Sequence, residues 1–337
     1  MSTKTVQTIE DIARLANVSK STVSRALNNS PLLRQETKDR IQAIAREHNF
    51  HMHAPARSLS MRQSRTIAFV THVYHMESCL GEDLFGMELM NGIVNGLHSL
   101  GYDTLIINVN PRETSWVNQY LDSGRVDGFV LMTSCRKQAY IKTMVDAQAP
   151  FIIWGVPATK YHVCSVAGDN FEGGRLAAEH LLRLGRRRVA FIGGSDYELE
   201  VQHRYQGYES ALAAAGLGVD EKRVVYGDYS HESGITCMKE LLEKDPDLDA
   251  VFVCSDLMAI GAIDVIQKSG KRVPEDIAVV GYDDISLAYF NNLPLTTIRQ
   301  NIQLAGKLLA ENLIQYIQTG VITNVTLPVE LVVRKSA

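Results

Sequence analysis

Lys20, Ser21, Thr22, Ser24, Arg25 and Asn28 place six hydrogen-bonding side chains within nine residues, all of kinds that address nucleic acid. Lysine and arginine can donate to O6 and N7 of guanine, and serine pairs with several base edges. Threonine, serine and asparagine suit phosphate oxygens, which fix register without reading sequence. With 3.6 residues per helical turn, Lys20, Ser21 and Arg25 share one outer face, leaving Thr22, Ser24 and Asn28 beside the backbone of a duplex. Thr8, at the head of the preceding segment, joins this DNA-facing set.

Such a face needs a rigid support, and the flanking sequence supplies one. Ile9, Ile12, Ala13 and Ala16, then Val23, Ala26 and Leu27, then Ile41, Ile44 and Ala45 each follow helical spacing. Thr8 with Asp11 reads as a capping box, and Ser19 reads as the cap of a helix starting at Lys20. Only Asn17-Val18-Ser19 separates the first two helices, so a helix-turn-helix with a third helix behind it is expected. The charge distribution agrees. Residues 1–65 hold eleven basic and five acidic side chains, a net +6, whereas the remainder carries −10. A basic head on an acidic body confines polyanion binding to one end.

The stretch IEDIARLANVSKSTVSRALNN resembles the DNA-reading segment of the lactose repressor/galactose repressor family nearly residue for residue. The likeness continues through ETKDRIQAIAREHNF and HMHAPARSLSMRQSRTIAFV, the latter matching that family's hinge and first core strand. It implies that Ala56-Arg57-Ser58-Leu59 forms a hinge helix in the minor groove, with Ala56 against DNA and Leu59 wedged between base steps. Met52 and His53 stand where the family often has Pro-Asn or Pro-Ser, and Arg34 replaces its usual serine cap on the third helix.

Beyond Arg65 the pattern alternates strand and helix. Strands are expected at 67–71, 104–108, 128–132, 151–154, 188–192, 250–254 and 277–282, with helices at 85–100, 173–184, 204–215, 231–243 and 257–269. That alternation implies parallel α/β sheets in two similar lobes with a ligand cleft between them. DNFEGGRLAAEHLLRLGRRRVAFIGG, HRYQGYESAL, CSDLMAIGAIDVIQ and IAVVGYDDISLAYFNNLPLTTIRQ resemble the family's effector domain, itself built like periplasmic sugar-binding proteins. The resulting fold class is a small all-α head plus a periplasmic-binding-protein-like α/β effector domain of two parallel-sheet lobes. The expected division is 1–50 for the head, 51–65 for hinge helix and linker, and 66–337 for effector binding and dimerisation. Within the body, lobe one takes about 66–163 and 295–322, lobe two about 164–294 and 323–337.

Carried over position by position, the resemblance implies that Arg204 and Asp283 hydrogen-bond ligand hydroxyls, with Asp256 at another cleft position. It also implies that Tyr229 stacks on ligand, with Phe85 near the matching place in lobe one and Trp154 at the end of a cleft strand. Asp256 has the alternative of capping its helix, Phe85 and Trp154 that of filling the core, and Asp169 reads as a turn support. Aromatics with a charged pair favour a sugar effector, and acidic Glu198 and Glu200 beside Arg204 favour hydroxyl-rich ligands over anions. A purine corepressor is the alternative effector.

Other classes fit less well. GxGxxG with a following acid, GK[ST], HExxH and GxSxG are all absent, so no enzyme and no cofactor is expected. Five scattered cysteines without a CxxC pair argue against a metal site or disulfide framework and fit a reducing cytoplasm. No apolar run is long enough for a membrane span and no signal segment is visible, which counts against a periplasmic sugar carrier. The expectation is a cytoplasmic homodimer, without a tetramer-forming tail, that represses transcription from near-palindromic operator DNA until a small sugar releases it.

Overall fold

Three short helices form around a small aliphatic core in the N-terminal residues of the computed structural model, which describes residues 8–50, 63–72, 83–110, 113–132, 139–156 and 161–337. Ala56 and Leu59, with the hinge helix expected over them, lie outside the described residues. The helices are α1 (Ile9–Leu15), α2 (Lys20–Leu27) and α3 (Gln35–Glu47). Thr8 and Asp11 close the capping box on α1, Ser19 caps α2 through the Thr22 amide, and Arg34 leaves α3 without a side-chain cap. The core is Ile12, Ala13, Ala16, Val23, Ala26, Ile41 and Ala45, with Val18 packed against it from the turn.

All three helices stop the same way. Asn17, Asn29 and Asn49 take left-handed φ values of 52°, 54° and 50° just past their helices. The next amide then reaches back to an orphan carbonyl: Val18 to Ala13, Ser30 to Arg25 and Phe50 to Ala45, at 2.8–3.0 Å. Asparagine tolerates this backbone better than other residues bearing a Cβ.

The chain divides into two units, Met1–Thr66 with Asn118–Asp127, and Ile67–Val117 with Gly128–Ala337. The larger carries the two sheets. Its strands are β1 (Thr66–His72), β2 (Asp103–Val109), β3 (Gly128–Met132), β4 (Phe151–Trp154), β5 (Cys164–Gly168), β6 (Val189–Gly193), β7 (Val224–Tyr226), β8 (Ala250–Val253), β9 (Ala278–Asp283), β10 (Thr296–Gln300), β11 (Asn324–Leu327) and β12 (Val329–Val332). Between them run α4 (Leu84–Ser99), α5 (Ser115–Asp122), α6 (Ala139–Asp146), α7 (Asn170–Arg183), α8 (Leu199–Ala214), α9 (His231–Lys244), α10 (Asp256–Lys268), α11 (Ser286–Phe290) and α12 (Ile302–Thr319).

One sheet has the order β11-β5-β4-β3-β1-β2 and the other β12-β10-β9-β8-β6-β7. Their described pairings are parallel except β10 with β12. Strands β3, β4, β5, β6, β8 and β9 are covered on both faces and are almost wholly buried, as parallel strands flanked by helices require.

The chain passes between the two sheets three times. β5 pairs with β4, so residues 164–168 belong to lobe one, and β10 pairs with β9, so residues 296–300 belong to lobe two. β11 likewise joins the first sheet and only β12 the second. The crossings therefore fall at Asp169, Asn301 and Pro328, and not at the expected 163/164, 294/295 and 322/323.

Candidate functional site

On the head, α2 buries Val23 and Ala26 and turns Lys20, Ser21 and Arg25 outward, all exposed. Thr22, Ser24 and Asn28 sit half-buried at its edges. The hydroxyl of Ser19 lies 2.8 Å from those of both Ser21 and Thr22, which organises the first turn of α2 as one polar cluster. Lys20 pairs with Glu10 at 2.8 Å across exposed surface, an interaction weak enough for a phosphate to displace. Arg25 makes no ion pair among the described residues. Thr8 is committed locally: its hydroxyl donates to Asp11 at 2.8 Å and accepts the Asp11 amide, so its first role is the cap.

In the body the chemistry collects at the carboxyl ends of strands, where parallel sheets open their clefts. Arg204 enters from the second turn of α8 and is nearly buried. Its Nε donates to Asn170 Oδ1 at 2.8 Å, its Nη1 donates to the Cys254 carbonyl at 2.6 Å, and its guanidinium lies 3.6 Å over the Tyr282 ring. Asn170 begins α7, and close contact of α7 with α8 makes the first of these bonds possible. A Cβ on Gly174 would stand 1.9 Å from the Arg204 carbonyl, and one on Gly207 2.0 Å from the Phe171 carbonyl. These are backbone clashes that no rotamer relieves. Gly174→Ala is expected to push α8 away and lower stability by roughly 3 kcal/mol. An unchanged urea midpoint would show that the helix pair slides freely.

Asp283 ends β9 in a strained turn, with φ of 115° at Asp283 and 57° at Asp284. Four successive residues of this turn are held from β10, α10, α4 and the segment after β12. Gln300 Nε2 donates to Asp283 at 2.8 Å, and Arg299 and Arg334 donate to Asp284 at 2.6 and 2.5 Å. The Ile285 amide donates to Asp256 at 2.9 Å, and the Ser286 amide donates across the cleft to Glu88 of α4 at 2.8 Å. Strain of about 1–3 kcal/mol per residue persists only where surroundings enforce it this way. Burial pushes the Asp283 carboxyl up to about 7 against the pull of Arg204 and Gln300, and the carboxylates of Asp83 and Glu88 push the same way.

Asp256 corrects an expectation. It was placed among the ligand contacts, yet it is fully buried and both oxygens are engaged, one by Thr297 Oγ1 at 2.5 Å and the other by Ile285. It supports the Asp283 turn from behind, and burial holds its pKa well above the ordinary carboxylate value. The helix cap at this point is Ser255, and Asp169 caps α7, as a turn support should.

Tyr229 stands on a loop at φ 70° and donates to Glu198 at 2.6 Å. Phe85 and Trp154 meet in lobe one with ring centroids 5.8 Å apart; both also pack on that lobe's core. The amide of Val156, just past Trp154, donates to Glu200 of α8 at 2.8 Å, a second bond between the lobes. Gln300 was not singled out from sequence. It lies at the end of β10, 4% exposed, with Oε1 buried and without a hydrogen-bond partner, beside the Asp283 carboxylate. Its position at a strand end next to a lobe crossing was the available signal. Asn170, which orients Arg204, was missed for the same reason.

Among the described residues no group of side chains is arranged to hold a metal ion, and no helix is long and apolar enough to cross a membrane.

Comparison with known proteins agrees at both ends of the chain. Residues 8–52 match the model for bacterial regulatory proteins of the lacI family, and residues 178–337 match that for a periplasmic binding protein-like domain. The HTH-type transcriptional regulator CelR of Thermobifida fusca is 36% identical, the match covering 98% of each chain. A solved complex of the transcriptional regulator CelR with cellobiose superposes with a TM-score of 0.76 at 33% identity, covering 98% of this chain and 99% of that one. The lac repressor dimer bound to operator superposes at 0.81 with 28% identity, covering 98% of each chain. A DNA-reading head, a two-lobed effector-type body and full-length similarity to such regulators lead to one conclusion: this chain belongs to the LacI family of bacterial regulatory proteins.

Proposed function

We propose that this family member is a cytoplasmic homodimeric repressor of carbohydrate-utilisation genes, released from its operator when a small sugar fills the cleft. The observation that carries the sugar reading is the buried group of Arg204, Asp283 and Gln300, which offers donors and acceptors at one point. Aromatic rings at Phe85, Trp154 and Tyr229 supply faces on which a sugar's C–H surface stacks. The cellobiose complex of the related regulator supports the same ligand class. Exposed Met87 and Val94 on α4, with exposed Ile106 on the edge strand β2, offer a face of lobe one for a second copy.

The mechanism follows from linkage. A ligand shifts DNA affinity only as far as it distinguishes the two lobe arrangements. The cross-cleft bonds Glu88–Ser286 and Glu200–Val156 belong to one such arrangement. Selection from random DNA followed by fluorescence anisotropy is expected to yield a near-palindromic site whose affinity falls steeply with salt, about 0.9 log units per log unit of salt for each phosphate contacted. Neutral sugars added to that complex should release the DNA. Tighter DNA binding with a purine would replace induction by corepression, and salt-insensitive binding would refute the assigned DNA face.

A further inference from the structure

The chain is clamped just where it enters β1. Asp127, the residue before β3, accepts from the Ser64 amide at 2.7 Å, the Ser64 hydroxyl at 2.9 Å and the Arg65 amide at 2.8 Å. Its own amide donates to the Thr66 carbonyl at 2.8 Å, and the Thr66 amide donates to the Ser64 hydroxyl at 3.2 Å. All of these residues belong to the smaller unit. Amide bonds to a carboxylate are charge-assisted and stronger than neutral ones. Arg65 takes a φ of 52°, in the left-handed region, which a residue bearing a Cβ keeps only where its surroundings enforce it. Two successive amides aimed at one carboxylate are that enforcement. The backbone at Ser64 is thus held in one direction by a side chain 63 residues further along.

We propose that Asp127 is a positioning residue for operator binding: it fixes the direction in which the segment from the head enters β1, and thereby the spacing at which two heads reach DNA. This rests on the dimeric DNA-binding reading above and adds a residue outside both the DNA face and the cleft. The clamp follows directly on residues 51–63, the connection between head and body. Two heads on one dimer read half-sites a fixed distance apart. Once the first head is bound, the second binds at an effective concentration set by how narrowly its tether is directed. A root free to swivel spreads the second head over a larger volume and lowers that concentration. The penalty falls only on DNA carrying both half-sites, because a single half-site asks nothing of the spacing. Removing the Asp127 charge changes long-range repulsion from both kinds of duplex alike, so the ratio of the two affinities isolates positioning.

The test uses the full chain and the operator selected above. Its probes are the complete site, the same duplex with one half scrambled, and the site lengthened by a base pair at its centre. Fluorescence anisotropy at a fixed salt concentration gives each affinity. The parent is expected to bind the complete site about tenfold or more above the half-site, and to lose most of that gain on the lengthened duplex. Asp127→Ala, folded by circular dichroism, is expected to keep its half-site affinity while the complete-to-half ratio falls roughly fivefold and depends less on spacing. Asp127→Asn keeps an oxygen for Ser64 but brings an NH2 group toward the Arg65 amide, so its ratio should fall between the two. A parental ratio in Asp127→Ala, or complete and half-site affinities that fall together, overturns the proposal and leaves operator binding standing. If Asp127→Ala does not fold, Asp127→Asn decides by the same ratio. A parent that binds complete and half-sites equally overturns the two-headed reading and the role of Asp127 with it.

Discussion

Asp283→Asn is expected to stabilise the ligand-free protein above pH 7 while abolishing its response to effector. The carboxyl at this position has an ordinary value of 3.8 and is raised to about 7, chiefly by burial. Between about pH 4 and 7 the unfolded chain has released this proton and the folded chain still holds it. Stability from this group is therefore fully present below about pH 4, falls as pH rises, and is lost by about pH 7. At about 1.36 kcal/mol per pH unit the loss amounts to at most roughly 4 kcal/mol. Asparagine does not titrate, accepts the same bond from Gln300 and tolerates the left-handed backbone of this turn. Urea denaturation at pH 5 and pH 8 measures the effect: the variant should exceed its parent at both, by about 2–3 kcal/mol more at pH 8. A gap that does not widen between the two would show that Asp283 is already ionised in the folded state.

The same carboxylate gives effector binding its own pH dependence, with opposite consequence. On the proposed sugar reading, ligand hydroxyls donate to the ionised form, so affinity should weaken as pH falls below about 7. Asp283→Asn keeps one acceptor but loses the charge that makes it strong. On the same reading, the proposed site holds a destabilising group where the ligand would need it, opposed by Arg204, Gln300 and the Asp256 support behind the turn. Strain and misfit charge concentrated at one turn are how a binding site differs from the core around it.

How much of this was legible in the sequence depends on the range over which each feature is decided. The capping box at Thr8–Asp11, the cap at Ser19 and the turn at Asn17 are settled within a few residues, and the head follows the expected pattern closely. β3 and β4 are continuous apolar runs and were read to the residue. The lobe crossings were misplaced because β5, β10, β11 and β12 are short, and their sheet is chosen by partners far along the chain. Thr296 and Thr297 look like surface residues and are wholly buried. Asp256 shows the same limit at one side chain. Whether it faces ligand or protein is decided by Thr297 and Ile285, 41 and 29 residues away. No local spacing contains that information.

Arg25→Ala carries the other large expected effect, and it separates reading from holding. Arg25 is exposed on the outer face of α2, one turn beyond Ser21. An arginine bidentate to guanine discriminates by about 1–3 kcal/mol, and a dimer loses that twice, so specific affinity should fall roughly 30-fold to 10⁴-fold. Non-specific affinity and the salt slope should change little, because phosphate contacts supply those. If Arg25 instead grips phosphate, specific and non-specific binding would fall together, and the slope would drop by about one per head. Titrating parent and variant against operator and scrambled DNA at two salt concentrations distinguishes these cases. Sugar binding, measured on the same preparations, should be untouched. The head's core is Ile12, Val23, Ala26 and Ile41 with their neighbours, and Arg25 contributes nothing to it, so lost binding in a folded variant would be lost recognition.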